Sequence, residues 1–253
     1  MPYDLKGLKV LVTRPGPQGE LLCNRIDEVK GSSVYFPAIE IFPPDKLDLL
    51  HQQIKTLNQY DWIIFVSPQA VLQTAKVIHD NWPVLPEIKI AAIGAGTADT
   101  LKNFKFPVAV YPKKEWNSEG LLELTEFKEV KGKKIAIISG EGGREFLENT
   151  LIKRGAAVTK MVAYKRCPPK DPAVFLQLLK SHSIDIIVLT SNQGLENLEK
   201  CVIPDKQEEL LHSIRILVVS ERIAKYAEEL GFKKIILAKN ASNESILDAL
   251  NHQ

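Results

Sequence analysis

The sequence has few cysteines and no long apolar run, and each shortage excludes a class of protein. Its three cysteines, Cys23, Cys167 and Cys201, include no CxxC pair, so they predict neither a disulfide framework nor a zinc site. No apolar run is long enough to span a bilayer, and the first residues lack the charged and apolar segments of a signal peptide. We therefore expect a cytoplasmic protein that does not bind membranes.

The chain also lacks an excess of charge of one sign. Its 253 residues include 33 Lys and Arg against 31 Asp and Glu, a net charge of +2, whereas sequence-general binding to nucleic acid usually needs a larger or more clustered positive excess. HExxH and GxSxG motifs are missing, and the five histidines have no metal-ligand spacing. These features predict no nucleic-acid partner and no metal site, but they are compatible with an anionic small molecule.

Two glycine-containing loops suggest a nucleotide site, but their spacing argues against one. Residues 94–96 (GAG) are followed by Asp99 where the GxGxxG motif needs its third glycine. Residues 140–144 (GEGGR) lack the Gly-Lys-Ser/Thr that completes a phosphate-binding P-loop. A nucleotide-dependent enzyme is therefore disfavoured.

An internal duplication organises the chain. Residues 6–9 (KGLK) recur as 131–134 (KGKK), and 61–67 (DWIIFVS) parallels 185–191 (DIIVLTS), so the offset is 124 to 125 residues at these matches. Each match alone is weak, but their order along the chain is the same in both copies. The period is too long for a solenoid, so we interpret it as two copies of one domain-sized unit.

Each copy alternates short apolar runs with amphipathic stretches. Runs such as 10–13 (VLVT), 63–66 (IIFV) and 186–189 (IIVL) are nearly continuous, as in parallel strands covered on both faces. The alternation predicts an α/β fold with two parallel sheets of about five strands each. Residues 36–44 and 161–169 each end in Pro-Pro, which cannot continue a helix, and we interpret them as the connections between domains.

Small and polar residues follow the predicted strands, where α/β sheets bind their ligands. Such residues let backbone N–H groups approach a ligand, and the dipole of the following helix favours an anion. The alternative is that Ser, Thr and Asn are only helix N-caps and Pro68 a first-turn residue, which is favoured for any single loop. Taken together, the loops predict a receptor for several carboxylates. The candidate binding residues are Thr13, Arg14, Ser67, Pro68, Gln69, Gly94, Thr97, Ser139, Gly140, Arg144, Thr190, Ser191, Asn192 and Ser220.

One residue breaks the duplication. Tyr164 lies in the second connecting segment, where the first copy has Ile39. Its phenol is a candidate proton donor. The alternative, which the residues alone favour, is a strand tyrosine that packs its ring on a neighbour.

Six short stretches carry a resemblance to a known family: 10–15 (VLVTRP), 65–71 (FVSPQAV), 92–98 (AIGAGTA), 118–122 (SEGLL), 162–164 (VAY) and 190–194 (TSNQG). Together they resemble the uroporphyrinogen-III synthase family over essentially the full length. No single short motif is diagnostic, but their order and spacing are. The sequence departs from the family pattern at Pro68 and Gln69, where an Asn-Ala type of loop is commoner, and at 220–222 (SER), where a Gly-containing loop is frequent.

The resemblance implies two flavodoxin-like parallel-sheet domains joined by a two-stranded linker, with the active site in the cleft between them. Carried over to this sequence, residues 1–36 and 172–253 form domain 1, and residues 43–162 form domain 2. Residues 37–42 and 163–171 are then the connecting segments. On this interpretation, the boundaries of the domains differ from the boundaries of the two sequence copies.

The resemblance also implies an activity. The family's members are cofactor-free cyclising hydro-lyases of tetrapyrrole (haem) biosynthesis, which convert hydroxymethylbilane to uroporphyrinogen III with loss of water and inversion of ring D. We expect a monomer, and transient contact with the preceding pathway enzyme is left open. The rival hypothesis is a non-catalytic two-domain module that binds an anionic ligand in the same cleft.

The resemblance assigns roles to some of the candidate residues. Tyr164 matches the family's recurrent tyrosine and would help the substrate hydroxyl leave. Arg14 and Arg144 are expected partners for substrate carboxylates. The residues expected to line the cleft by the same resemblance are Ser67, Thr97, Ser191 and Ser220.

Overall fold

The structure is a computed structural model that describes residues 3–143 and 145–252. Its strands are β1 (Lys9–Val12), β2 (Ser32–Tyr35), β3 (Glu40–Phe42), β4 (Trp62–Phe65), β5 (Lys89–Ala92), β6 (Val108–Val110), β7 (Lys134–Gly140), β8 (Ala157–Cys167), β9 (Ile186–Leu189), β10 (Arg215–Val218) and β11 (Ile235–Leu237). Its α-helices are α1 (Pro17–Glu28), α2 (Leu47–Ile54), α3 (Pro68–Asn81), α4 (Ala95–Asn103), α5 (Ser118–Leu122), α6 (Thr125–Lys128), α7 (Phe146–Lys153), α8 (Pro172–Lys180), α9 (Asn192–Val202), α10 (Glu208–Ser213), α11 (Glu221–Leu230) and α12 (Asn243–Asn251). None of the helices in the described ranges is long and apolar enough to cross a membrane.

The chain divides into two compact units. Unit 1 comprises Met1–Ile41 and Cys167–Gln253, and unit 2 comprises Phe42–Arg166. The first boundary falls within β3 and the second within β8. Since β3 and β8 are neighbours in one sheet, the chain passes between the two units through two adjacent strands.

Unit 1 contains a five-stranded sheet in the order β11-β10-β9-β1-β2, with parallel pairing throughout. Both faces of β1 are buried. Val10 and Val12 pack in one core with Leu22 of α1, and Leu11 packs in the opposite core with Phe175 of α8. Because both faces of the strand are buried, successive side chains are apolar, which explains the continuous apolar run in β1. The prediction of an α/β fold with parallel sheets is confirmed.

Unit 2 contains a six-stranded sheet in the order β3-β8-β7-β4-β5-β6. The pairs from β8 to β6 are parallel. Trp62 and Ile64 of β4 pack with Ile135 and Ile137 of β7 and with Phe127, whose ring centroid is 4.9 Å from that of Trp62. Burial of these side chains holds β4 and β7 together at the centre of the sheet, next to the pocket described below.

Each unit combines strands from both sequence copies. By the duplication, β1 and β2 correspond to β7 and β8, and β4, β5 and β6 correspond to β9, β10 and β11. Unit 1 combines β1 and β2 of the first copy with β9, β10 and β11 of the second. Unit 2 combines β7 and β8 of the second copy with β4, β5 and β6 of the first. Both sheets therefore have the same spatial order of corresponding strands, the flavodoxin-like order 2-1-3-4-5, and β3 is added at the edge of unit 2.

In each unit, an aspartate from one sequence copy accepts a hydrogen bond from the backbone of the other copy, and the two aspartates are at equivalent positions of the duplication. Asp61 accepts hydrogen bonds from Lys134 N and Lys133 Nζ, both at 2.9 Å. Its counterpart Asp185 accepts one from Lys9 N at 2.8 Å. The backbone hydrogen bond from Lys134, followed by the bond from Lys133, holds the pKa of the Asp61 carboxyl below its usual value.

Asp61→Asn is expected to destabilise the protein in a pH-dependent way. A carboxyl whose pKa is lowered on folding contributes stability above its unfolded pKa, and this contribution is lost as pH falls through the lower folded pKa. The side chain is 37% exposed, so we expect a loss of up to about 1 kcal/mol at pH 7 after solvent screening. Urea unfolding of both proteins should show a difference that disappears in acid. A difference that is independent of pH would contradict this assignment.

Candidate active site

The candidate active site is a pocket of about 380 Å³ in unit 2. It lies at the carboxyl ends of β4, β5, β7 and β8, the edge of a parallel sheet at which ligands bind. Residues 116–118, before and at the start of α5, form another wall. Four of the residues predicted from the sequence line this pocket: Ser67, Ser139, Gly140 and Tyr164.

Tyr164 is held in place by an irregularity in the sheet. Along the β7–β8 pair, Ser139 is opposite Val162 but Gly140 is opposite Tyr164, so β8 has one extra residue at this point. Such bulges re-aim side chains next to active sites. The Tyr164 ring is 1% exposed and lies over Gly140, where an added Cβ would be 2.7 Å from the ring Cζ. The position of the ring therefore requires glycine at 140.

The phenol oxygen of Tyr164 has two polar neighbours. Arg166 Nη2 donates a hydrogen bond to it at 3.2 Å, and Ser67 Oγ is 3.2 Å away. Ser67 is the N-cap of α3, and its Oγ accepts a hydrogen bond from Ala70 N at 3.1 Å. Since a guanidinium group can only donate, the phenol oxygen accepts from Arg166. Its own hydrogen remains available for Ser67 or for a ligand in the pocket.

Ser139 adds an unused hydroxyl to the same pocket. The residue is 7% exposed, and its Oγ is buried without a hydrogen-bond partner in the described structure. Buried hydroxyl groups are rarely left unpaired, because the loss of hydration is not compensated. The Ser139 hydroxyl is thus well placed to bind a polar group of a ligand.

The pocket residues that are absent from the predicted set include Trp116, Lys160 and Arg166. Arg166 could have been found, because alternate residues of a strand share a face and it stands two positions after Tyr164. Trp116 is 63% exposed, and nothing in the local sequence marks it as part of a site. Its Cβ would be 2.7 Å from a Cβ added to Gly94, so the predicted residue Gly94 supports this wall of the pocket.

The other predicted residues of unit 2 lie around the pocket rather than in its wall. Pro68 and Gln69 form the first turn of α3, directly after Ser67. Thr97 is 2% exposed within α4. Arg144 lies outside the described residues. Ligand contacts of these four side chains stay predictions.

In unit 1, two predicted residues already have partners within the fold. Thr13 Oγ1 donates a hydrogen bond to Val188 O at 2.6 Å in the interior. Arg14 Nη1 donates to Ala241 O at 3.0 Å, and burial lowers the pKa of its guanidinium. Each side chain therefore ties two segments of unit 1 together, and its contact with a ligand stays a prediction.

The remaining predicted residues lie at helix starts of unit 1. Ser191 is the N-cap of α9, and its Oγ accepts a hydrogen bond from Gly194 N at 3.1 Å. Thr190 precedes it, and the Oδ1 of Asn192 is buried without a hydrogen-bond partner. Ser220 is the N-cap residue of α11 but forms no capping hydrogen bond through its side chain. Ser67 and Ser191 are thus N-caps, and Ser67 also lines the pocket, whereas Asn192 and Ser220 have polar atoms that no cap uses.

Titratable groups of both signs surround the pocket. Its lining includes Glu141, Glu148, Lys160 and Arg166. No cluster of three or more His, Cys, Asp or Glu side chains that could hold a metal ion is present within residues 3–143 and 145–252. The arrangement offers hydroxyl groups, two cations and the backbone of a glycine-containing loop, which are groups that bind carboxylates.

Comparison with known proteins gives consistent results. A family model described as "Uroporphyrinogen-III synthase HemD" matches residues 23–248. The chain is 36% identical over 247 residues to the uroporphyrinogen-III synthase of Escherichia coli (strain K12), covering 96% of this chain and 100% of the relative. The uroporphyrinogen-III synthase of Salmonella typhimurium (strain LT2) gives the same identity and coverage.

Solved structures show the same fold. A mutant uroporphyrinogen III synthase from the extremely thermophilic bacterium Thermus thermophilus superposes with a TM-score of 0.63 at 18% identity, covering 97% of this chain and 98% of that one. The uroporphyrinogen-III synthetase of Helicobacter pylori 26695 superposes with a TM-score of 0.61 at 19% identity, covering 97% and 99%.

Proposed function

This chain belongs to the uroporphyrinogen-III synthase family, and we propose that it cyclises hydroxymethylbilane to uroporphyrinogen III with loss of water and inversion of ring D. The observation that carries the proposal is the Tyr164 hydroxyl, which lies in the pocket wall with Arg166 and Ser67 each 3.2 Å away. A positioned phenol is a competent general acid. No cofactor is needed, because the substrate itself carries the leaving hydroxyl and the nucleophilic carbon.

The first step removes the substrate hydroxyl group. A pyrrole nitrogen lone pair pushes toward the hydroxymethyl carbon, the C–O bond breaks, and Tyr164 gives its proton to the leaving oxygen. The products are water, an azafulvene-like cation and the Tyr164 phenolate. The bonds that position the phenol oxygen also favour the phenolate, because both Arg166 and Ser67 can donate to it.

The second step closes the ring. The substituted carbon of the last pyrrole attacks the cation and gives a spiro intermediate, which fragments and recloses with the last ring inverted. Loss of one proton on closure restores the pyrrole and balances the proton that Tyr164 supplied. Unassisted closure gives the symmetric isomer, so the protein's main task is to impose a folded conformation on the substrate.

Substrate carboxylates supply the binding energy for this conformation. The Ser139 hydroxyl, Lys160 and the backbone at Gly140 line the same pocket as Tyr164, and all can donate hydrogen bonds to acetate or propionate groups. A volume of about 380 Å³ is at the lower end for small-molecule sites. The pocket therefore suits one part of a tetrapyrrole, near the reacting carbon.

We further propose that the protein acts in the cytoplasm as a monomer and receives its unstable substrate from the preceding pathway enzyme. The relatives named above are uroporphyrinogen-III synthases, which supports a small-molecule substrate. Sedimentation of the purified protein at its working concentration tests the monomer directly.

The proposed activity is tested by the isomer composition of the product. Purified protein supplied with hydroxymethylbilane should yield the type III isomer, separated from type I by chromatography after oxidation to the porphyrin. Heat-denatured protein is the control and should give type I at the spontaneous rate. Type I alone from the native protein would reject the enzyme. If uroporphyrinogen raised the Tm in that case, the non-catalytic module would be favoured.

A further inference from the structure

We propose that Arg166 is a positioning residue for proton donation by Tyr164. This proposal rests on the proposed function and adds a residue to it. Arg166 would act through the phenol oxygen rather than by holding substrate.

The geometry places the guanidinium beside the phenol. Tyr164 and Arg166 are separated by one residue in β8, so both side chains leave the same face of the strand. Arg166 Nη2 is 3.2 Å from the phenol oxygen, and the guanidinium carbon is 5.7 Å from the centroid of the Tyr164 ring. The guanidinium thus approaches the oxygen end of the ring.

This hydrogen bond determines where the phenol proton points. Arg166 has no acceptor atom, so it must donate to a lone pair of the phenol oxygen. The phenol hydrogen is then directed away from Arg166, toward Ser67 Oγ or toward a ligand in the pocket. Ser67 is itself fixed by its cap bond from Ala70 N, so the phenol has few alternative orientations.

The positive charge of Arg166 is also available to stabilise a negative charge on the phenol oxygen. Among the described residues, no carboxylate forms an ion pair with Arg166. Tyr164 is 1% exposed, so a negative charge on its oxygen would be poorly hydrated. Attraction to Arg166 is weak while the phenol is neutral and strong once its proton has left. A contact that strengthens during the reaction raises kcat rather than substrate affinity.

The test is a double-mutant cycle between Arg166 and Tyr164, begun only after the wild-type protein has been shown to form the type III isomer. Arg166→Gln should lower kcat by about tenfold, the low end of general-acid effects, while KM changes less than about twofold. In a Tyr164→Phe background, the same substitution should have no further effect, because residues that act as one unit are not additive.

Two other variants serve as controls. Lys165→Gln removes the same charge one position away, where the side chain pairs with Asp45, and should leave kcat unchanged. Arg166→Lys keeps a donor and a positive charge and should recover part of the lost kcat. Circular dichroism and Tm of each variant identify any loss of folding.

Three results would overturn the proposal while leaving type III formation intact. A higher KM with unchanged kcat in Arg166→Gln would make Arg166 an anchor for a substrate carboxylate. Full additivity of the two substitutions would show that Arg166 does not act through the phenol. A normal rate in Tyr164→Phe would leave Arg166 with no phenol to position.

Discussion

Tyr164→Phe is expected to lower kcat for type III formation by about tenfold or more, with little change in KM or Tm. The substitution removes only the hydroxyl group, which is the proton donor in the proposed first step. The ring itself stays packed over Gly140 and remains buried. Initial rates over a range of hydroxymethylbilane concentrations, with the isomers separated, give kcat and KM for both proteins.

Tyr111→Phe is the matched control for this substitution. Tyr111 also belongs to unit 2, but its ring lies against Lys113 and outside the pocket. The variant should keep the wild-type rate. Unchanged turnover in Tyr164→Phe would instead return Tyr164 to the packing role that its position in a strand suggests.

Gly140→Ala is expected to lower kcat by a similar factor or more and to reduce stability. The new methyl group would lie 2.7 Å from Cζ and 3.1 Å from the hydroxyl oxygen of Tyr164. A buried ring cannot move aside without displacing its neighbours, and such overpacking costs about 1–3 kcal/mol. The phenol would lose its alignment with Arg166 and Ser67. Turnover and urea unfolding of the variant measure the two effects separately.

Gly96→Ala is the control for the stability part of this experiment. Gly96 lies on the exposed side of α4, and an added Cβ would have no atom within 4 Å. Alanine in a helix is preferred over glycine by about 0.5–1 kcal/mol, so this variant should be slightly stabilised. Wild-type turnover in Gly140→Ala would show that the reaction does not need the phenol where the structure holds it.

The fold class could be predicted from the apolar pattern of the sequence, whereas the exchange of strands between the two copies was implied only by the family resemblance. Continuous apolar runs such as 63–66 and 186–189 identify buried parallel strands. They carry no information about which strand is the neighbour, because backbone hydrogen bonds rather than side chains make that pairing. The repeat therefore suggested two similar units without showing that each takes strands from both copies. The expected domain bounds and the expected cleft stay predictions.

The candidate site was predicted in part, for a related reason. Ser67, Ser139 and Gly140 were found because they follow the apolar runs of predicted strands, and strand ends are where such sheets bind ligands. Arg166 was missed because a charged residue near the end of a strand looks like a solvated side chain until its neighbour is known. For Tyr164, the ring is buried as expected for a packed strand tyrosine and the residue also lines the pocket, while its role as a proton donor stays a prediction.

The exchange of strands between the sequence copies has a consequence for protein synthesis. All strands of unit 2 have been synthesised once residue 167 is made, so this unit can fold after it emerges from the ribosome, while translation continues. In contrast, β1 cannot form its hydrogen bonds with β9 until that strand, which begins at Ile186, has been synthesised. At elongation rates of about 5–20 residues per second, this delay is roughly ten to thirty seconds. One edge of β1 is thus unpaired for much of synthesis, and the nascent chain needs protection against aggregation at this strand until β9 has been made.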